Sequence, residues 1–316
     1  MLAFVARRVM VAMPVFLGAS LALFVLLYVL PGDPSAFVLG DSASPERLAA
    51  LRTEMGLDQP VLLQYVNWLL RLARGDLGNS LVNGLPVAQL LAQRLPVAAE
   101  LTLGASLIGV VLGIATGMYS GLRPTTRLAR GIDLFNAFAV AVPVFWLGLL
   151  LQIGIAVQLG LLPASGYVSF AISPLGNLRS LALPCLTLGI GTAAVLARFV
   201  AAGISETRTQ DFVLATKARG LGPGRIVLRH VMRNAIIPAV TALGLQFGRL
   251  IGGAVLTEAV FNLPGLGTLL WTALTQRDYF VIQAVTLLAV ISFLLVNLLV
   301  DVAYGLIDPR VRAGLR

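Results

Sequence analysis

Apolar positions in this chain fall in long unbroken runs, not with the period of an amphipathic helix or a half-buried strand. Six such runs lie near residues 9–30, 97–120, 132–158, 181–203, 236–260 and 281–305. Runs of about 18 or more apolar residues with few charges predict transmembrane helices. A helix satisfies its own backbone N–H and C=O groups inside lipid, so the expected fold is an all-α polytopic membrane protein with six transmembrane helices. The first run follows Arg7 and Arg8, as the apolar part of a signal peptide would. It is longer than such a segment and ends in Pro-Gly-Asp-Pro without a small-x-small cleavage site, so a retained helix is expected.

Between the runs the pattern changes. Residues 31–95 read as a separate helical segment after the first span. Ser44 stands as N-cap and Pro45 at N1 of one short helix that Gly56 stops, and a second runs from Pro60 to Gly75. The stretch Leu-Pro-Ala-Ser-Gly-Tyr after the third run is rich in turn formers. Between the last two runs, Pro264, Gly265 and Gly267 permit a tight re-entrant turn, and Leu269, Leu270 and Trp271 have the character to dip into the membrane interface. Non-helical backbone at that depth survives only against protein or a water-filled cavity, which makes Pro264, Gly265 and Gly267 gate-loop candidates. The chain then divides into residues 1–30, the segment 31–95, a five-helix core at 96–305 containing a basic loop at 204–235, and a tail at 306–316.

Composition agrees: 58% of residues are hydrophobic, 12% are charged, and mean hydropathy is +0.91. The net charge of +9 is mainly a matter of topology. Arg7, Arg8, Arg123, Arg127, Arg130, the basic loop, and Arg310, Arg312 and Arg316 all fall on one side of the six-span scheme. Arg47, Arg52, Arg71, Arg74, Arg94, Arg179 and Arg277 fall on the other, balanced by acids. The excess of cations places both termini and the basic loop in the cytoplasm. Split among short juxtamembrane loops, the charge does not suit nucleic acid.

Several chemistries are excluded by the residues present. There is no Gly-x4-Gly-Lys-Ser/Thr loop, and the one lysine, Lys217, follows Thr216, so the chain does not hold ATP phosphates by that route. One histidine, His230, and one cysteine, Cys185, make neither a metal cluster nor a serine–histidine pair with a nucleophile elbow. No catalytic residue, cofactor or metal is therefore expected in this chain. Polar residues within the spans are costly in hydrocarbon and stand as pathway candidates: Glu100, Gln246, Arg249, Glu258 and Asn297, with Asn136 and Gln152 beside them. Arg249 and Glu258 lie about 13 Å apart along one ideal helix, so each must seek a partner elsewhere or face the pathway. Gly109, Gly113 and Gly117, at four-residue spacing, read as a close helix-packing seam.

The basic loop carries the densest signal. Asp211, Phe212, Ala215, Thr216, Lys217 and Ala218 form a short helix that Gly220 ends, and Gly222, Pro223 and Gly224 then turn the chain. Arg225, Arg229 and Arg233 recur every four residues on one face, with Val227, Leu228, Val231 and Met232 opposite and Ile226 out of place. From these residues alone, two uses remain open: a docking knob for a cytoplasmic protein, or an anchor to anionic lipid headgroups. The second would suit an ATP-independent channel or membrane receptor.

The sequence from Asp211 to Thr241 resembles the cytoplasmic loop of ABC importer permeases, in particular the branch that imports dipeptides, oligopeptides and nickel. Ala218-Arg219-Gly220-Leu221 matches the core of that motif, and His230, Asn234 and Pro238 match the residues that follow it. Leu214 stands where the general motif has a glutamate, and Phe280 stands where the branch usually has proline. Further resemblance spans the opening helix with its Pro-Gly-Asp-Pro end, the segment around Met55-Gly56-Leu57, the loop from Leu256 to Gln283, and the C-terminal Asp308-Pro309-Arg310. The resemblance implies a multi-pass subunit of the bacterial inner membrane. It implies a second related permease, two ATPase subunits that bind ATP and Mg, and an external solute-binding protein. It makes Asp211, Phe212, Ala215, Thr216, Lys217, Ala218, Arg219, Gly220, Leu221, Gly222 and Arg225 the ATPase-coupling loop.

Overall fold

The computed structural model describes residues 2–29, 44–54 and 57–307. The Pro-Gly-Asp-Pro segment, Gly56 and the tail after residue 307 lie outside them. The described residues are helical almost throughout: α1 (Leu2–Val29), α2 (Pro45–Glu54), α3 (Val61–Ala73), α4 (Val87–Leu122), α5 (Arg127–Ala141), α6 (Val144–Leu151), α7 (Pro174–Thr207), α8 (Asp211–Ala218), α9 (Pro223–Ile226), α10 (Met232–Phe261), α11 (Leu266–Gln276) and α12 (Tyr279–Ile307). A π-helical segment, Gln152–Gln158, extends α6, and another, Val227–Val231, joins α9 to α10.

Among the described residues five helices are long and apolar enough to cross a membrane. The expected third span is instead a pair, α5 and α6, bent by 114° at the break. The cause is local. Pro143 forbids its predecessor the α conformation, and Val142 accordingly sits at φ −80°, ψ 133°. Counted as one span, the pair brings the total to six. Helix α4 starts at Val87, well before the apolar run that predicted it, because Pro86 supplies an N-terminus there and the polar first turns continue the same helix. The Ser44 cap is realised, its hydroxyl accepting from the Arg47 N–H at 3.3 Å.

Helix α7 is the axis of the bundle: 72% of its most apolar window is buried, against 11% for α12 and 17% for α1. It packs hardest on α4 along a stripe of small residues. A Cβ added at Gly109 would lie 2.7 Å from Thr192 Cγ2, one at Gly113 2.8 Å from Leu196 Cβ, and one at Gly117 2.5 Å from the Ala197 carbonyl oxygen. Lipid offers no hydrophobic force between helices, so backbone proximity supplies the van der Waals contact that holds this pair. The glycine seam read from spacing is therefore the main joint of the fold. At one end of the bundle, Phe24 of α1, Tyr65 and Trp68 of α3 and the start of α12 form one buried cluster. At the opposite end Arg8 of α1 pairs with Asp301 of α12 at 3.3 Å.

Candidate functional site

Two regions at opposite ends of the bundle hold the candidate residues. The first is the knob made by α8, α9 and the π segment. Gln210 leaves the helical region, Asp211 starts α8 where an acid suits the helix N-terminus, and Gly220 at φ +76° ends it. Asp211, Phe212, Ala215, Lys217, Ala218, Arg219, Gly220, Gly222 and Arg225 are exposed, and Thr216 and Leu221 are half-buried. The knob is nevertheless fastened to the bundle. Val213, Ile226 and Val231, at 1%, 4% and 1% exposure, share a core with Val200 and Ile204 of α7 and Ala235 and Ala239 of α10. Arg208 donates to the carbonyls of Gly121 and Leu122 at 3.1 and 2.9 Å, tying the end of α7 to the end of α4.

The wheel drawn from sequence is corrected here. Ile226, expected out of place, is buried, while Leu228, expected on the apolar face, is 70% exposed. The π segment shifts the angular phase within Val227–Val231, which a constant 3.6-residue period cannot follow. Arg229, His230 and Arg233 still converge, lining with Phe212 and Asn234 a cavity of about 420 Å³.

The second region, at the α11 end, is organised by Glu258. This side chain, on α10, is 1% exposed, and its Oε2 accepts the Thr268 N–H at 2.8 Å. It thus caps the N-terminus of α11, where unpaired N–H groups and the helix dipole favour an anion. Its neighbours are glycines because nothing larger fits. A Cβ at Gly265 would fall on the Glu258 carboxylate, and one at Gly267 would lie 2.5 Å from Val255 Cα and 3.0 Å from Glu258 Oε2. Gly265 sits at φ −100°, so the Pro-Gly-Leu-Gly motif is needed for close approach more than for an unusual turn. The non-glycine residues with left-handed backbone among those described are Asn262 (φ 51°) and Arg277 (φ 54°), one on either side of α11.

Two cavities meet the first turn of α11 from opposite sides. One, of about 550 Å³, is polar in part, with Arg94, Tyr167, Asn262, Pro264, Thr268 and Asp278 among its walls. The other, of about 340 Å³, is almost wholly apolar and lies between α4, α10 and α12, touching Glu258, Gly267 and Leu270. Asp278 is itself a clasp. It accepts from the Ser80 hydroxyl and, at 3.2 Å, from the Leu81 N–H, holding the turn after α3 against the start of α12.

The other pathway candidates scatter. Glu100 Oε2 accepts from Tyr167 Oη at 3.0 Å and from Asn177 Nδ2 at 2.8 Å, which ties the 159–173 loop and the start of α7 to α4. Gln152 Nε2 donates to the Ala164 carbonyl at 2.8 Å, anchoring the same loop. Asn297 donates to the Phe293 carbonyl of its own helix at 2.9 Å. Gln246 and Asn136 are buried, while Arg249 is exposed on α10. Sequence reasoning missed Arg94, Tyr167, Asn177 and Asp278, because none interrupts an apolar run and only the folded chain gathers them.

Burial and then the Glu100 carboxylate raise the Tyr167 phenol above its usual 10.0. A raised value means the folded state favours the protonated phenol. Its contribution to stability is complete below pH about 10 and is lost as pH rises through the raised pKa. Tyr167→Phe is therefore expected to remove the late component of the tyrosinate absorbance titration. A curve merely scaled down in amplitude would refute the contact.

Comparison with known proteins agrees with this architecture. Residues 109–313 match the family model described as binding-protein-dependent transport system inner membrane component, and residues 1–102 match the N-terminal model of the same system. The chain is 38% identical to a glutathione transport system permease protein of Escherichia coli, over 99% of both chains. It is 36% identical to a di/tripeptide transport system permease protein of Pseudomonas aeruginosa, again over 99% of both. It is 34% identical to a dipeptide transport system permease protein of Alkalihalophilus pseudofirmus, over 99% of this chain and 100% of that one. A chain of the MetNI methionine ABC transporter shares the fold with a TM-score of 0.58 at 21% identity, over 70% of this chain and 97% of that chain. With its spans, its fastened knob and these matches, the chain belongs to the family of binding-protein-dependent transport system inner membrane components, as a permease component of an ABC importer.

Proposed function

We propose that the chain forms half of the translocation pathway for short peptides or peptide-like solutes, beside a second related permease, on two ATPase subunits, with an external binding protein delivering the solute. The relatives' printed names support the solute class: peptides and glutathione. The α8 end, with the ion-paired ends of α1 and α12, is cytoplasmic, and the α11 end is external. The distribution of arginines supports that orientation.

One observation carries the mechanism: the knob is exposed on its outer face and fused by its inner face to α7 and α10. A push on α8 by an ATPase subunit is then transmitted to the two helices at the centre of the bundle. Asp211, Phe212, residues 215–222 and Arg225 are the coupling surface. At the other end, the first turn of α11, with Pro264 on one cavity and Gly267 on the other, is the gate wall. ATP and Mg belong to the ATPase subunits.

Gly220 tests the coupling. Proline cannot adopt its φ of +76°, so Gly220→Pro misdirects the chain leaving α8 while the spans stay intact. Expected is normal membrane insertion with loss of solute-stimulated ATPase activity in the assembled importer. Normal stimulation would refute the coupling role. A loop whose protection from protease in vesicles of anionic lipid is lost at high salt, in a chain purified without any ATPase partner, would favour the lipid-anchor reading instead.

A further inference from the structure

The cavity of about 550 Å³ at the α11 end holds two ionic side chains, and they are not equivalent. Asp278 is 4% exposed, and both its oxygens are committed to the Ser80 hydroxyl and the Leu81 N–H. Arg94, on the second turn of α4, is half-buried. Among the described residues no carboxylate comes within 4.0 Å of the Arg94 guanidinium, whereas Arg8 is paired with Asp301. Glu258, behind the first turn of α11, gives its Oε2 to the Thr268 N–H, and its buried Oε1 has no hydrogen-bond partner, Arg94 included. A guanidinium carries five N–H donors in a planar fork, and partial burial makes an unmet fork costly. Its natural complement is a carboxylate, taken in a bidentate geometry.

We propose that Arg94 makes this cavity a receiving site for the carboxylate of the incoming peptide-like solute, a proposal that rests on the solute class put forward above. The volume lies within the range of small-molecule sites, about 300–1,000 Å³. Asn83, Asn262, Thr268 and Thr272 supply neutral donors and acceptors, and Leu269 and Val281 supply an apolar wall. Position argues for a solute over an acidic protein loop. The cavity is backed by the first turn of α11, and beyond that turn lies the apolar cavity of about 340 Å³. A solute held by one end at Arg94 waits at the wall it must pass. Its side chains then face an apolar space that selects bulk little and polarity against.

The test uses the importer complex of both permeases and the ATPase subunits, without the solute-binding protein, so that the delivery protein's own selectivity does not enter. Binding of tri-alanine and of its C-terminal amide is titrated calorimetrically on the wild type, Arg94→Gln and Arg94→Lys. Expected is a loss of about tenfold in affinity for free tri-alanine with Arg94→Gln, the scale of one lost charge-assisted contact. Arg94→Lys should recover part of it. The amide should bind the wild type as weakly as free tri-alanine binds Arg94→Gln, and should be indifferent to the substitution. Equal weakening of both ligands, or none, would overturn the carboxylate site. A parallel uptake assay in proteoliposomes containing the solute-binding protein separates the two levels. Wild-type importer that moves neither peptide overturns the solute class itself. Uptake that Arg94→Gln lowers equally for both peptides, with tri-alanine binding unchanged, assigns Arg94 to docking of the delivery protein instead.

Discussion

Gly117→Leu is expected to destroy the bundle, although it adds only an apolar side chain to an apolar helix. The substitution places its Cβ 2.5 Å from the Ala197 carbonyl oxygen and 2.9 Å from Ala197 Cα. Those are backbone atoms of α7, the most buried helix, and a backbone cannot swing aside as a side chain can. The α4–α7 pair must separate, and the neighbouring contacts at Gly113 and Gly121 open with it. Overpacking of this kind costs roughly 3 kcal/mol or more. Gly131 on α5 has nothing within 4 Å, and Gly131→Leu serves as the control. Melting of the detergent-purified importer, followed by size-exclusion chromatography, should show the first variant lost or lowered by several degrees and the control unchanged. Equal melting of the two would mean that α4 and α7 do not meet backbone to backbone.

Glu258→Ala should have the second-largest effect, for a different reason. Removing the carboxylate leaves the part-buried Thr268 N–H without its acceptor and empties space beneath Gly265 and Gly267. A lost cap with an unsatisfied donor costs roughly 2–4 kcal/mol, and the damage is confined to the first turn of α11. Hydrogen exchange at residues 266–270 should accelerate by tenfold or more in Glu258→Ala, while α7 stays protected. Glu258→Gln keeps an oxygen in place and should fall between the two. Unchanged exchange in Glu258→Ala would show that α11 holds itself without the cap. Fast exchange with normal solute uptake would remove the gate role and leave the structural one.

These two residues also mark what the amino-acid sequence discloses. The spans and the glycine seam were legible because hydrophobic length and four-residue spacing are local properties. The αL ending at Gly220 was legible for the same reason. The broken third span was half legible: Pro143 stood in view, but a kinked helix and a sharp 114° break carry the same signature. Glu258 was legible as an expensive charge and not as a cap, since its partner sits ten residues on across a turn. The 550 Å³ cavity was illegible, because it joins residues from α4, the 159–173 loop, α11 and α12 that no spacing relates.

The π segment at Val227–Val231 has a mechanical meaning. In a continuous α-helix from Pro223 to Phe261, each residue would fix the next at about 100°, and the knob would be locked in rotation to the span. A π turn stores surplus chain, roughly one residue, and so resets that angle. The part before it is then indexed to the core it shares with Val200 and Ile204 of α7, and the part after it to its neighbours along the span. Two packing registers share one rod, as two gears share a shaft through a keyed coupling.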